Sequence, residues 1–303
     1  MRWWLLLVLA LNSPSLVVGN ENKSEEKIAA EIQRFFGHVV RDSEAPGQPI
    51  VEVVLHNAKV TDEMLVDLAQ LRSLRALDLM FTKVTDKGLK ELTGVKNLQS
   101  LNLGGTLVTD EGMKDVAKLT SLTRLVLNRT QVSNAGLKQL ASLISLRSLN
   151  LHDTKVTDAG LKELSTMKFL KVLDVGDPRR TGRVTDAGLK ELTSLKSLES
   201  LTLGGTHITD EGLKQLSSFR SLTSLSLDWT KVTDGGMKEL ASLKSLENLT
   251  LGGHNVTDAG MKHLHALKSL QSLSLHQTKV TSAGLKDVAE LKSLKRLNLT
   301  GSQ

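Results

Sequence analysis

Apolar residues return along this chain with a period of 24. From Leu77 to Leu92 the order is Leu-x-Leu-x-x-Thr-x-Val-Thr-Asp-x-Gly-Leu-Lys-x-Leu, and it returns with minor replacements from Leu101, Leu149, Leu201 and Leu225. Each unit has two halves. Leu-x-Leu alternates and predicts a short strand; the half that opens at Thr-Asp predicts a short helix. A unit of this size cannot bury its own apolar face, so the copies are expected to stack into a solenoid.

The strand cores hold one register. They run Val53 and Leu55, Leu77 and Leu79, Leu101 and Leu103, Leu125 and Leu127, Leu149 and Leu151, and Leu173 and Val175. After a shift they continue as Leu201 and Leu203, Leu225 and Leu227, Leu249 and Leu251, Leu273 and Leu275, and Leu297 and Leu299. Parallel stacking at about 4.8 Å per strand makes the sheet roughly 50 Å wide. Thr-Asp opens each helix, as at Thr85-Asp86 and Thr157-Asp158, and reads as a local N-cap, with Lys four residues on for an ion pair. Gly recurs inside the helices from Gly88 to Gly284. Gly costs about 1 kcal/mol there relative to Ala, so its recurrence predicts close approach of one layer to the next.

Upstream the pattern changes. Ile28, Ile32, Phe35, Phe36, Val39 and Val40 fall at helical spacing and predict an amphipathic helix over 25–42 that caps the first layer. Ala45-Pro46-Gly47-Gln48-Pro49 turns into the first strand. Earlier still, Arg2, the apolar run Trp3 to Leu11 and Val17-Val18-Gly19 read as a secretory signal cleaved near Asn20. The run is too short to span a bilayer. The expected organisation is a signal peptide at 1–19, a capping segment at 20–50 and a solenoid at 51–303. No membrane span is expected once the signal is removed, and the product is expected to be secreted, or held in the periplasm or cell envelope.

These residues resemble a leucine-rich repeat, in the 24-residue subclass that often carries Cys after the strand and is seen in exported bacterial proteins. Here Thr82, Thr106, Thr130, Thr154, Thr206, Thr230 and Thr278 stand where that subclass has Cys, and the expected job is the same: an inward side chain bonding loop backbone. The resemblance covers about 51–299. It implies an α/β fold, a curved, horseshoe-like solenoid with a parallel concave sheet and convex helices. It also implies a binding role for another protein and no catalysis.

Composition narrows the chemistry further. The chain has no Cys, which excludes disulfides and thiolate metal sites, and export without disulfides points to a bacterial source. The Asp ladder reads as helix caps and not as a cation site, so no metal or cofactor is expected. The net charge is +6. Most of it is Lys spread over the helical side without a stacking set of aromatics, so nucleic acid is not an expected partner. His152-Asp153 offers an acid–base pair without a nucleophile in a recognisable setting.

Departures from the repeat are the candidates for function. One repeat is four residues longer than the rest and reads Gly176-Asp177-Pro178-Arg179-Arg180-Thr181-Gly182-Arg183. The two residues after each strand also vary. Phe81, Arg129, His152, Asp153, Arg179, Arg180, Arg183 and Trp229 are therefore the expected partner-binding residues, suited to an acidic protein surface, with Trp and Arg as anchors. The concave strand positions, from Asn102 to Asn298, are small and mostly neutral. The last layer, with Leu291, Leu294, Leu297 and Leu299, is an expected site of end-to-end self-association.

Overall fold

The structure is a computed structural model that describes residues 14–253 and 255–303. Twelve strands form one sheet in chain order. The first, β1 (His38–Arg41), is antiparallel to β2 (Ile50–Val54). From β2 onward every pairing is parallel. The following strands are β3 (Ala76–Asp78), β4 (Ser100–Asn102), β5 (Arg124–Val126), β6 (Ser148–Asn150) and β7 (Val172–Asp174). Then come β8 (Ser200–Thr202), β9 (Ser224–Ser226), β10 (Asn248–Thr250), β11 (Ser272–Ser274) and β12 (Arg296–Asn298). Leu77 pairs with Leu101, Leu101 with Leu125 and Leu125 with Leu149, so the strand Leu form a continuous inner row. With the helical halves on the other side, the chain is a curved α/β solenoid.

The core is one apolar spine running the length of the molecule, from Ile28 to Leu291. The helical halves vary in tightness: Asp110–Val116 is α-helical, whereas Asp234–Ser242 is a 3-10 helix throughout. Thr82 Oγ1 donates to Leu79 O at 2.7 Å, and Thr106, Thr130, Thr154, Thr206, Thr230 and Thr278 repeat that bond. All seven are buried, so each closes the turn after its strand from the inside.

The Thr-Asp pairs divide the capping role differently from the expected local cap. Thr85 is the N-cap, and its hydroxyl accepts from Lys87 N. Asp86 does not cap its own helix; it reaches the next layer, where its carboxylate accepts from Thr109 N at 2.8 Å and Thr109 Oγ1 at 2.7 Å. The same bracket joins Asp62 to Thr85, Asp158 to Thr185 and Asp258 to Thr281, and Asn134 accepts from Thr157 N in the same way. With these carboxylates turned along the solenoid, the expected Asp–Lys pairs four residues apart give way to others, such as Lys114 with Glu111 and Lys118 with Asp115. The recurring Gly follows from the bracket. A Cβ on Gly88 would lie 2.5 Å from Asp62 Oδ1 and 3.0 Å from Leu65 Cδ2.

The N-terminal helix is shorter than expected at its end. α1 spans Pro14–Arg34, and Ile28, Ala29 and Ile32 join the core. Phe36 then takes φ 60 and is 98% exposed. Gly37 passes so close to the first repeat that a Cβ would lie 2.7 Å from Leu55 Cδ2 and from Val54 O. The chain turns there, and Val39 and Val40 enter β1 instead of a continued helix. The residues proposed as a signal peptide fall largely on 1–13, outside the described residues. Among the described residues no helix is long and apolar enough to cross a membrane. At the other end, β12 pairs with β11 on one side only, and Leu297 is 41% exposed.

Candidate binding surface

Each strand leaves the sheet through a turn whose geometry is nearly invariant. Its key residue takes a left-handed φ: Asn57, Phe81, Gly105, Arg129 and Asp153 in the first half, and Gly205, Trp229, Gly253 and Gln277 in the second. The amide of that residue donates to the next layer, as from Phe81 N to Gly104 O at 2.8 Å, Arg129 N to His152 O at 2.9 Å and Trp229 N to Gly252 O at 2.7 Å. The turn is thereby fixed on both sides, and its side chains project as an ordered row along one face. Glycine meets this backbone demand most easily. Phe, Arg and Trp are uncommon there, and a non-Gly residue so placed carries about 1 kcal/mol or more of strain.

The longer repeat departs from the row. Asp177 occupies the expected place and its amide bonds Gly204 O at 2.8 Å, but the left-handed φ has moved on to Arg180 and Gly182. The repeat also lacks the turn Thr, since Pro178 stands in its position. Asp177 is 5% exposed, and its carboxylate accepts from Thr181 N at 2.8 Å and Thr181 Oγ1 at 2.5 Å. The inserted loop is therefore knitted into the body at its base.

The structure groups the expected site residues into separate sets. Arg129 and Arg179 flank Asp153, with Arg179 Nε 3.2 Å from Asp153 Oδ1 and Arg129 Nε 3.9 Å from Oδ2. Asp153 thus neutralises much of what the sequence suggests is a basic face. Arg183 turns inward, Nη1 3.4 Å from Thr154 O. Arg180 reaches across Gly205 and lies over the Trp229 ring, 4.1 Å from its centroid. His152 sits over Gly176 with Nδ1 3.5 Å from Asp174 Oδ1, an ion-pair separation. The facing Asp174 carboxylate, as acceptor, holds the His152 pKa above its ordinary value, while partial burial opposes this. Phe81 lies over Gly105, two strands from Arg129 and apart from the others.

The stacked pair opens a cleft that sequence reading missed. It measures about 260 Å³ and has an apolar floor including Leu227, Val232 and Val256. Arg180, His207, Lys231 and Asn255 bring polar groups to it beside Trp229. The signal was present in one repeat column: Lys83, Lys155, Arg183, His207, Lys231, Asn255 and Lys279 all precede the Val-Thr step or its equivalent. Among the described residues no group of three or more His or carboxylate side chains is placed to hold a metal ion.

Comparison with known proteins places this architecture. The chain has fold similarity to an internalin (InlF) of Listeria monocytogenes, with TM-score 0.60 and 22% identity over 93% of this chain and 89% of that one. It is similar to a leucine-rich repeat protein of Leptospira interrogans at TM-score 0.58 and 25% identity, over 76% of this chain; the match spans 56% of the Leptospira protein. A second Listeria monocytogenes internalin, InlC2, matches at TM-score 0.51 and 22% identity over 90% of this chain and 92% of that one. No curated protein matches the sequence significantly. Residues 53–303 match the family described as a leucine-rich repeat region, which spans nearly all of the stacked layers, and the chain belongs to that family.

Proposed function

We propose that this protein is an exported, non-catalytic interaction module that binds an acidic protein partner through the turns that follow its strands. One observation carries the reading. Phe81, Arg129, Asp153, Arg180 and Trp229 occupy left-handed turn positions, where equivalent turns use Gly105, Gly205 and Gly253 at lower conformational cost. Strained backbone retained at a bulky or charged surface residue favours a functional role. Trp and Arg are also the residue types that dominate interface energetics. The leucine-rich repeat fold, built to present a long ordered surface, supports the same role.

Capture of partners from the native envelope and medium, with the chain carrying Trp229→Ala and Arg180→Ala as controls, tests this reading. The expected outcome is a partner with an acidic surface whose affinity falls tenfold or more in each variant, about 1.4 kcal/mol, and weakens with salt. Equal binding by wild type and both variants would move the site to the concave strand face. Among the described residues β12 pairs on one side only and Leu297 is partly exposed, which favours a second mode, association with another copy. Sedimentation should then show a dimer at micromolar concentration that Leu297→Lys dissociates, and a monomer throughout would remove that mode.

A further inference from the structure

We infer that the cleft beside Trp229 is a receptor for a single carboxylate-bearing side chain next to an apolar one, in an extended acidic segment of a protein. The inference rests on the partner-binding reading above and assigns its anchor point. Gly205 and Gly253, which carry no side chains, flank Trp229 in the row of turn residues. Gly205 has no room for a side chain, because Asp177 O of the inserted loop fills the space a Cβ would take. The loop thus crosses Gly205 and delivers Arg180 to the ring at 4.1 Å.

The charge of the cleft sets the class of ligand. Arg180 and Lys231 line it with His207 and Asn255, and no carboxylate lines it among the described residues. No ion pair engages Arg180 or Lys231 among those residues, in contrast to Arg129 and Arg179, which share Asp153. Two unneutralised cations over an apolar floor fit a group with an anionic head and an apolar flank. Arg180 lies against the indole with its guanidinium carbon 4.1 Å from the ring centroid, and a guanidinium offers a carboxylate paired N–H···O bonds. The volume of about 260 Å³ is small against ordinary ligand pockets of roughly 300–1,000 Å³ and suits one or two side chains.

Trp229 itself reports occupancy. In the full chain carrying Trp3→Phe and Trp4→Phe it is the sole Trp, so its emission follows the cleft alone. The probe is an end-capped peptide of alternating Leu and Glu, with its Gln counterpart as neutral control. The Glu peptide should shift Trp229 emission saturably, and Arg180→Gln and Lys231→Gln should each weaken binding tenfold or more. The Gln peptide should leave the emission unchanged. No saturable shift, equal shifts by both peptides, or unaltered binding by both variants would overturn the inference. A response to polygalacturonate without one to the Glu peptide would also overturn it, by making the ligand an acidic glycan. Partner capture that survives while the peptide fails would reject only the anchor. Loss of capture sensitivity to Trp229→Ala would reject the wider reading.

Discussion

At the scale of single residues, the Asp–Thr–Gly bracket makes a prediction that helix propensity alone would get backwards. Gly88→Ala should favour the helix by about 1 kcal/mol on propensity. The new Cβ would meet Asp62 Oδ1 at 2.5 Å, forcing the carboxylate off Thr85 N and Oγ1. Leaving those donors unsatisfied costs about 1–3 kcal/mol, so the substitution should destabilise. In an Asp62→Ala background only Leu65 Cδ2, the end of a flexible side chain, stays close at 3.0 Å, and Gly88→Ala should become neutral or stabilising. Chemical denaturation of the four proteins measures that sign change, and additive effects would mean that the two residues do not meet. The Gly repeat was legible in the sequence as close packing. Its partner was not, because the obstructing carboxylate comes from the layer before, 26 residues upstream in this pair.

His152 gives a residue-scale prediction with pH. Its folded pKa is raised, chiefly by Asp174. The pair therefore contributes stability in full below the unfolded imidazole pKa of about 6.5. That contribution is lost as pH rises through the folded value. Stability measured from pH 5 to 8 should fall over this window more steeply in wild type than in His152→Gln, and equal slopes would remove the pair from the account. Asp258 runs the other way. Its pKa is lowered by the bonds from Thr281, so its bracket contributes above the unfolded carboxylate pKa and is lost as pH falls through the lower folded value.

At the scale of elements, the longer repeat shows how much of a loop's attachment stays hidden from the repeat pattern. The break in period marks the loop, but nothing in the pattern shows Asp177 turning inward to hold Thr181. Removing Pro178 to Gly182 outright would strand a buried carboxylate, at about 1–3 kcal/mol. A better excision follows from alignment with the preceding repeat. Deleting Pro178, Arg179, Arg180 and Gly182 leaves Asp177-Thr181-Arg183-Val184, in register with Asp153-Thr154-Lys155-Val156. Thr181 then sits where Thr154 donates to Leu151 O, and the repeat regains its 24-residue length. This variant should stay within about 1 kcal/mol of wild type, as surface substitutions away from special features do, while the outright deletion should be less stable. Thermal unfolding of the two shortened chains separates the cases. The N-terminal cap teaches a related lesson: the spacing of Ile28, Ile32, Phe35 and Val39 suits a helix, yet Gly37 sits where only a residue without a side chain can turn against Leu55.

At the scale of the whole molecule, stability is carried layer by layer, because each repeat touches only its neighbours. Leu151 is 2% exposed beside β6, with a layer on either side. Leu151→Ala should cost about 2–5 kcal/mol through the cavity it leaves. Leu297, at 41% exposure, is covered from one side and should tolerate Ala at well under half that cost. The same asymmetry orders local opening. All three residues of β12 are exposed, and Arg296 N hangs on Gln271 O at 3.0 Å, with β12 the last strand of the sheet among the described residues. The corresponding amide of β6, Ser148 N to Thr123 O at 2.9 Å, lies between two further layers. Bond lengths are nearly equal, so any difference in exchange must come from the free energy of opening the layer and not from the bond. Hydrogen exchange should therefore release 290–303 well before 146–153, and Leu151→Ala should shrink the gap by weakening the centre. Uniform protection from β6 to β12 would mean that the solenoid opens only as one unit, and that the neighbour-by-neighbour description fails for it.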